Sequence, residues 1–179
     1  MVQPPTIVFD LIGVLAEPSW RELARAPAGA AWGALKTGRI DEAAFWSPAE
    51  AAAFRRALAF RADRLRLLAR LRAAGLRIVV ATNFHRPWAD VLQDSLHDPT
   101  LIDHWIISGE LGVAKPAPAF FARVRELAPL GSLFIDDTPA NCRAAERAGL
   151  TPLWAWPGSD LDGRIDALLG AGAPNGAAP

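Results

Sequence analysis

Cysteine is almost absent from this chain of 179 residues, in which Cys142 is the single example. One cysteine excludes an internal disulfide framework and argues against a zinc cluster built on thiolates. Such sparing use of cysteine is typical of proteins in a reducing compartment. We therefore expect a cytoplasmic protein.

The chain also lacks an excess of charge and long apolar runs. Lysine plus arginine and aspartate plus glutamate each number 19, so that no net field favours nucleic acid or an anionic membrane. No apolar run reaches the roughly 18 residues of a membrane-spanning helix, and no basic segment precedes a long apolar core at the N-terminus. We expect a soluble monomer or homodimer, with neither nucleic acid nor a membrane as partner.

Lysine is scarce as well, since Lys36 and Lys115 are the only two in a chain rich in arginine. The abundance of arginine and alanine is typical of a compositional bias of the source genome. In such a chain, a lysine that has been kept points to a specific role.

What the sequence does contain is an alternation of short apolar runs with amphipathic helical patterns. The apolar runs predict strands at residues 6–9, 76–81, 105–107, 133–135 and 152–156. Helical patterns precede the second and the last of these runs, and each ends near a glycine, Gly75 and Gly149. This order predicts an α/β fold, a Rossmann-like three-layer α/β/α core around a parallel sheet.

Residues 17–61 differ from the rest of the chain because they are rich in alanine and helical in pattern, with breaks at proline and glycine. About 45 residues between the first strand and the next helix are too many for an ordinary connection. We expect a small α-helical cap over the site, on a core formed by residues 1–16 and 62–169. The tail, residues 170–179, consists mostly of glycine, alanine and proline and is expected to be disordered.

Polar residues follow the apolar runs where the strands would end. Asp10 follows the first run, Thr82 and Asn83 the second, and Asp136 and Asp137 the fourth. Ligands of parallel sheets bind outside the carboxyl ends of the strands, so these residues should meet at one edge. Carboxylates are ligands that suit Mg²⁺. Lys115 precedes a helix that starts with proline, and can lie over the strand ends.

Each of these features also has an ordinary structural explanation. Asp10 could cap the turn after its strand, and Thr82 with Asn83 could be turn residues. Lys115 could be a solvated surface lysine, and one aspartate of the pair could cap the following helix. The joint arrangement, rather than any single residue, favours a functional site.

In their order and spacing, four segments resemble the motifs of the haloacid dehalogenase (HAD) superfamily of hydrolases. They read Val-Phe-Asp-Leu-Ile-Gly-Val-Leu at 8–15, Ile-Val-Val-Ala-Thr-Asn at 78–83, Gly-Val-Ala-Lys-Pro at 112–116 and Phe-Ile-Asp-Asp-Thr-Pro-Ala-Asn at 134–141. The chain looks most like the subgroup with a helical cap after the first strand, which includes sugar-phosphate phosphatases and 2-haloacid dehalogenases. Segments 38–45 and 111–116 are similar to those of bacterial α-D-glucose-1-phosphate phosphatases.

The resemblance implies a Mg²⁺-dependent phosphatase of small phosphorylated metabolites. Asp10 would attack phosphorus, form an aspartyl-phosphate and also bind the metal. Further metal ligands would be the carbonyl of Ile12 and the carboxylates of Asp136 and Asp137, and which of the two aspartates binds directly stays open. The remaining implied roles are phosphate binding by the backbone of Leu11 and Ile12, charge neutralisation by Thr82, the amide of Asn83 and Lys115, and support of the site by Asn141.

Ile12 departs from the pattern of this family. Most of its phosphatases have a second aspartate there, which protonates the leaving oxygen and then activates water. Isoleucine can do neither, and the loss of such a group typically costs about 10²–10⁴ in rate. Three interpretations stay open: a phosphatase that uses another group or water, a 2-haloacid dehalogenase-like hydrolase, and a degenerate module that only binds phosphate or metal. Because the dehalogenases use no metal, the acidic pair favours the phosphatase.

Several other side chains are secondary candidates. His85 and Arg86 could face the substrate, although surface positions in a loop are the simpler interpretation. Tryptophans 20, 32 and 46 could line the substrate site, fill the core or form a dimer face. Three basic residues of the cap could contact substrate, namely Arg21, Lys36 and Arg39.

Overall fold

The computed structural model describes residues 5–18 and 30–171. Its strands are β1 (Thr6–Phe9), β2 (Ala16–Glu17), β3 (Ala59–Phe60), β4 (Arg77–Thr82), β5 (His104–Ile107), β6 (Leu133–Asp136) and β7 (Thr151–Trp154). Its helices are α1 (Ala30–Leu35), α2 (Pro48–Ala57), α3 (Ala62–Ala73), α4 (Arg86–Asp94), α5 (Ser108–Leu111), α6 (Pro118–Leu127), α7 (Pro139–Arg147) and α8 (Leu161–Ala171). Within these residues no helix has the length and apolar character needed to cross a membrane.

Five parallel strands form the central sheet, in the order β5-β4-β1-β6-β7. The chain builds outward from β1 on one side, through β4 to β5, and then returns to place β6 and β7 on the other side. The order therefore reverses between β1 and β6, the position at which parallel sheets bind ligands. The predicted α/β fold with a parallel sheet is confirmed.

Alternate residues of each strand pack on opposite faces of the sheet. Ile7 and Phe9 of β1 belong to one buried cluster, and Val8 between them belongs to the other. The first cluster is completed by side chains of α3, α4 and α8, and the second by side chains of α6 and α7. Burial on both faces explains why these strands appear as continuous apolar runs in the sequence.

The segment 17–61 leaves and rejoins the core at a single place. β2 and β3 pair in antiparallel fashion there, with Ala16 opposite Phe60, and the N–H of Arg61 donates to the carbonyl of Leu15 (3.0 Å). Helices α1 and α2 lie between, and Trp46 and Phe54 pack against Trp88 of α4. The division into core and cap domains stays a prediction, and the cap residues 19–29, with Trp20 and Arg21, lie outside the described residues.

Some element boundaries differ from the sequence predictions. Thr82 and Asp136 are the last residues of β4 and β6 rather than the residues after them, because their ladders with Ile107 and Trp154 extend that far. Helix α8 includes Gly170 and Ala171, so the last helix extends into the predicted tail. The remainder of that tail, residues 172–179, lies outside the described residues.

Candidate active site

The carboxyl ends of β1, β4 and β6 bring three carboxylates to one edge of the sheet. One oxygen from each of Asp10, Asp136 and Asp137 lies within 4.8 Å of the others. Beside them is a cavity of about 250 Å³. The sequence-predicted site residues that line it are Asp10, Ile12, Thr82, Asn83, Lys115, Asp137 and Asn141.

Lys115 is fully enclosed, with 2 % of its surface exposed, so it is not a solvated surface lysine. Its Nζ lies 2.9 Å from Oδ1 of Asp10, and it donates to Oδ2 of Asp136 (2.6 Å) and to the carbonyl of Ala81 (2.7 Å). Burial disfavours the charged form, but the two carboxylates outweigh it and raise the pKa of Lys115 above its ordinary value. Lys115 is therefore a fixed positive charge between two aspartates.

Asp136 and Asp137 have different environments although they are adjacent in sequence. Asp136 is fully buried, and besides Lys115 its carboxylate accepts from Nδ2 of Asn141 (3.0 and 3.1 Å) and from the N–H of Thr138 (2.8 Å). Asp137 is partly exposed and lines the cavity, where its Oδ1 accepts from the hydroxyl of Thr138 (3.1 Å). The carboxylate that faces a ligand is thus that of Asp137.

Asp10 is nearly buried and is held at the end of β1 by its N–H, which donates to the carbonyl of Ile135 (2.7 Å). Burial raises the pKa of Asp10 to about 7, a shift that Lys115 opposes and the charge of Asp136 reinforces. The pKa of Asp137 is also raised, first by burial and then by the charge of Asp136. Three carboxylates with one buried lysine leave negative charge that a divalent cation would offset, so the donor set fits Mg²⁺.

The turn after Asp10 places backbone groups beside the same cavity. An isolated bridge joins Ile12 to Ala16, and its hydrogen bonds use the carbonyl of Leu11 (2.9 Å) and the N–H of Gly13 (3.0 Å). Neither bond uses the carbonyl of Ile12, which is the predicted metal ligand. The side chain of Leu11 lies in the core, so only its backbone could serve the predicted phosphate site.

Gly13 is constrained by both its conformation and its neighbour. Its φ is +88°, and a Cβ at this position would lie 2.5 Å from Oδ2 of Asp137. Only glycine allows the turn to approach that carboxylate so closely. The sequence marks Gly13 as a turn residue, but it does not show what the turn contacts.

Two asparagines hold the site in place. The side chain of Asn83 donates to the carbonyl of Lys115 (2.8 Å) and accepts from its N–H (2.7 Å). Sequence reasoning assigned Asn83 only a backbone amide that binds phosphate, and it missed this side-chain contact. Asn141 donates from Nδ2 to the carboxylate of Asp136 (3.0 Å), and its supporting role stays a prediction. Trp154, which was not predicted, donates its indole N–H to the carbonyl of Asp137 (2.9 Å).

The secondary candidates divide into residues that reach the cavity and residues that do not. Lys36 and Trp32 line it. His85 is 5 % exposed and its ring lies against Trp88, so its interpretation as a surface loop residue is wrong. It is the residue directly before α4. Arg86 is paired with Asp90 and Glu110, and Arg39 donates to Oγ1 of Thr37 (3.0 Å).

Fold, carboxylate cluster and buried lysine together define a Rossmann-like α/β protein with a candidate active site at the carboxyl ends of its strands. A family model described as haloacid dehalogenase-like hydrolase matches residues 35–149, and the chain belongs to this family. No curated protein matches the sequence.

Solved structures resemble this fold over nearly the whole chain. A predicted HAD-like family hydrolase from Porphyromonas gingivalis has a TM-score of 0.76 at 22% identity, covering 94% of this chain and 98% of its own. A HAD family enzyme from Bacteroides thetaiotaomicron, in complex with magnesium and inorganic phosphate, has a TM-score of 0.74 at 19% identity, covering 91% and 100%. The L-2-haloacid dehalogenase from Xanthobacter autotrophicus, with chloropropionic acid covalently bound, has a TM-score of 0.63 at 19% identity, covering 96% and 85%.

Proposed function

We propose that this HAD-like hydrolase is a Mg²⁺-dependent cytoplasmic phosphatase of small phosphorylated metabolites, acting through an aspartyl-phosphate on Asp10. The observation that carries the proposal is the convergence of Asp10, Asp136 and Asp137 within 4.8 Å, beside the buried Lys115. A cluster of this charge suits a divalent cation and an anionic substrate. The Bacteroides relative, which was solved with magnesium and inorganic phosphate, is in keeping with this chemistry.

Asp10, Asp137 and the carbonyl of Ile12 would hold the Mg²⁺. When bound, the ion would neutralise negative charge on the phosphoryl oxygens and orient the phosphoryl group. Asp136 is the less suitable direct ligand, because its two oxygens already accept hydrogen bonds from Lys115, Asn141 and Thr138. Its role in this proposal is to fix Lys115.

In the proposed phosphoryl transfer, Asp10, Lys115, Thr82 and Asn83 would each have a separate role. A carboxylate oxygen of Asp10 attacks phosphorus, the bond from phosphorus to the leaving oxygen breaks, and water then hydrolyses the aspartyl-phosphate. Lys115, the hydroxyl of Thr82 and the N–H of Asn83 stabilise the negative charge on the transferring group. Because Ile12 has no proton to give, the leaving oxygen takes its proton from solvent.

A 2-haloacid dehalogenase is the second candidate. Dehalogenation needs no acid at the position of Ile12, and two structural relatives are such enzymes. The carboxylate cluster weighs against it. Asp137 faces the cavity with a raised pKa and forms no ion pair with any described side chain, an arrangement that a metal-free reaction would leave unexplained.

The test measures phosphate release from an aryl phosphate with Mg²⁺ and with EDTA. We expect release only with Mg²⁺, loss of at least about 10³-fold in Asp10→Asn, as for removal of a covalent nucleophile, and normal rates in the matched control Asp94→Asn, an exposed carboxylate on α4. Release of halide from a 2-haloacid without metal would instead establish the dehalogenase. Absence of both activities, with Mg²⁺ still raising the melting temperature, would establish a binding module.

A further inference from the structure

Lys36 is the other lysine of the chain, and it lines the same cavity as Lys115. It follows α1, and its N–H donates to the carbonyl of Trp32 (3.0 Å). Among the described residues no carboxylate forms an ion pair with it. Lys36 is therefore a cation that faces the candidate active site without an anionic partner from the described part of the chain.

The backbone around Lys36 is fixed against the core. The hydroxyl of Ser108 donates to the carbonyl of Lys36 and accepts from the N–H of Phe84 (2.9 Å), so one side chain joins the insertion to the loop after β4. Two residues further on, Gly38 packs so closely on Gly109 that a Cβ would lie 2.4 Å from its carbonyl oxygen. The position of Lys36 relative to Asn83 and Phe84 is thus set by packing.

The charges of the two lysines have different counterparts. Lys115 is paired with Asp10 and Asp136, whereas the pKa of Lys36 is lowered, first by burial and then by repulsion from Lys115. Both lysines line the same cavity, and repulsion between them disfavours the charge of Lys36. An anion beside Lys36 would relieve the cost of holding that charge there.

The rest of the cavity wall limits the size and the polarity of a ligand. Trp32, Phe84, Pro116 and Ile12 form the apolar part of the described wall. Of these, Trp32 and Phe84 are joined to Lys36 by backbone contacts, Phe84 through Ser108. A sugar would leave hydroxyls unpaired against these surfaces, at a cost for each one. The volume of about 250 Å³ is also slightly below the roughly 300–1,000 Å³ of typical ligand sites. A short carbon skeleton fits better than a polyhydroxylated ring.

We propose that Lys36 binds a carboxylate of the substrate, and that the substrate class is the phosphate monoester of a short hydroxy acid. The inference rests on the proposed function, because the phosphate of such a substrate would lie at Asp10 and Lys115. The positive charge of Lys36, which has no anionic partner among residues 5–18 and 30–171, matches the negative charge of a carboxylate. The apolar wall would contact the few carbons between the two anionic groups.

The test compares kcat/KM for 2-phosphoglycolate and for ethyl phosphate, which has a methyl group in place of the carboxylate. We expect the wild type to prefer 2-phosphoglycolate by about 10- to 100-fold, the range of a charge-assisted hydrogen bond. Lys36→Met should abolish this preference, so that kcat/KM for the two substrates becomes equal within about 3-fold. Lys36→Arg should restore part of it. The matched control is Arg56→Met, which removes an exposed positive charge from α2 away from the cavity.

A binding measurement separates recognition from turnover. With Mg²⁺ present, phosphonoacetate should raise the melting temperature of the wild type more than ethylphosphonate does, and Lys36→Met should remove the difference. Turnover of an aryl phosphate without any preference for the carboxylate would overturn this inference and leave the phosphatase intact. Absence of turnover for every phosphate ester would overturn both.

Discussion

Lys115 sets the charge balance of the site at the scale of single residues. Its ammonium group makes three contacts, to Asp10, Asp136 and the carbonyl of Ala81, which together use its three donors. A buried charge without such partners would be strongly destabilising. Folding stability and the proposed chemistry therefore depend on the same ammonium group. The aspartates around it differ, because some support mainly stability and others mainly the chemistry.

Substitution of the two adjacent aspartates should separate these roles. Asp136→Asn removes a buried charge from Lys115 and should lower the free energy of unfolding by about 1–3 kcal/mol, as measured by urea denaturation without metal. Asp137→Asn should change it by less than about 0.5 kcal/mol, because Asp137 is partly exposed and its charge is disfavoured in the folded state. Mg²⁺ should no longer raise the melting temperature of Asp137→Asn. Equal destabilisation by both substitutions would contradict this assignment.

At the scale of elements, the site depends on a turn, because β1 ends at Phe9 and the chain must reverse within a few residues. The bridge from Ile12 to Ala16 closes this turn, and the β2–β3 pairing follows at once. Gly13, which follows Ile12, lets this turn approach the carboxylate of Asp137. The conformation of this turn thus determines where the proposed metal ligands lie relative to the end of β1.

Gly13→Ala tests this connection, and Gly75→Ala is its matched control. Both glycines have a positive φ, +88° and +81°, so each alanine should cost about 1–2 kcal/mol of backbone strain. A Cβ meets Asp137 only at Gly13, since nothing lies within 4 Å at Gly75. We expect urea denaturation to show a loss in both variants, but a lost Mg²⁺-dependent rise in melting temperature only in Gly13→Ala. A normal rise in Gly13→Ala would show that the close approach is unimportant.

At the scale of the whole molecule, the raised pKa of Asp10 makes stability depend on pH and metal together. Because its folded pKa of about 7 lies above the ordinary 3.8, the metal-free folded state holds a proton that the unfolded state has lost between these values. Stability without metal should therefore fall as pH rises through this window. The raised pKa of Lys115 has no effect there, since it matters only above its ordinary value of 10.5.

Mg²⁺ should reverse that trend, because it binds only the ionised carboxylates. We expect the rise in melting temperature caused by Mg²⁺ to be small at pH 5 and to grow up to pH 8. In Asp10→Asn, the fall of metal-free stability over the same range should be reduced. A rise caused by Mg²⁺ that is the same at pH 5 and pH 8 would contradict the predicted ionisation of Asp10.

The sheet and the general place of the site could be predicted from the sequence because both depend on local patterns. Strands buried on both faces are apolar throughout, and polar residues after them mark the edge where parallel strands end. The different environments of Asp136 and Asp137 could not be predicted, because they depend on a contact with Lys115, which is distant in sequence. The same holds for the side chain of Asn83, which contacts the backbone of Lys115, and for the approach of Gly13 to Asp137. The rarity of lysine marks Lys36 as a candidate, but the sequence does not show that Lys36 lines the same cavity as Lys115.

The Asp136-Asp137 step has a consequence for comparing this protein with its relatives. Successive residues at the end of a strand point in different directions, so two identical letters occupy positions that are not equivalent. An exchange of one aspartate for glutamate or asparagine would be conservative by composition, yet it would alter the scaffold in one case and the proposed metal shell in the other. Alignments that slide this pair by one residue would exchange the two functions.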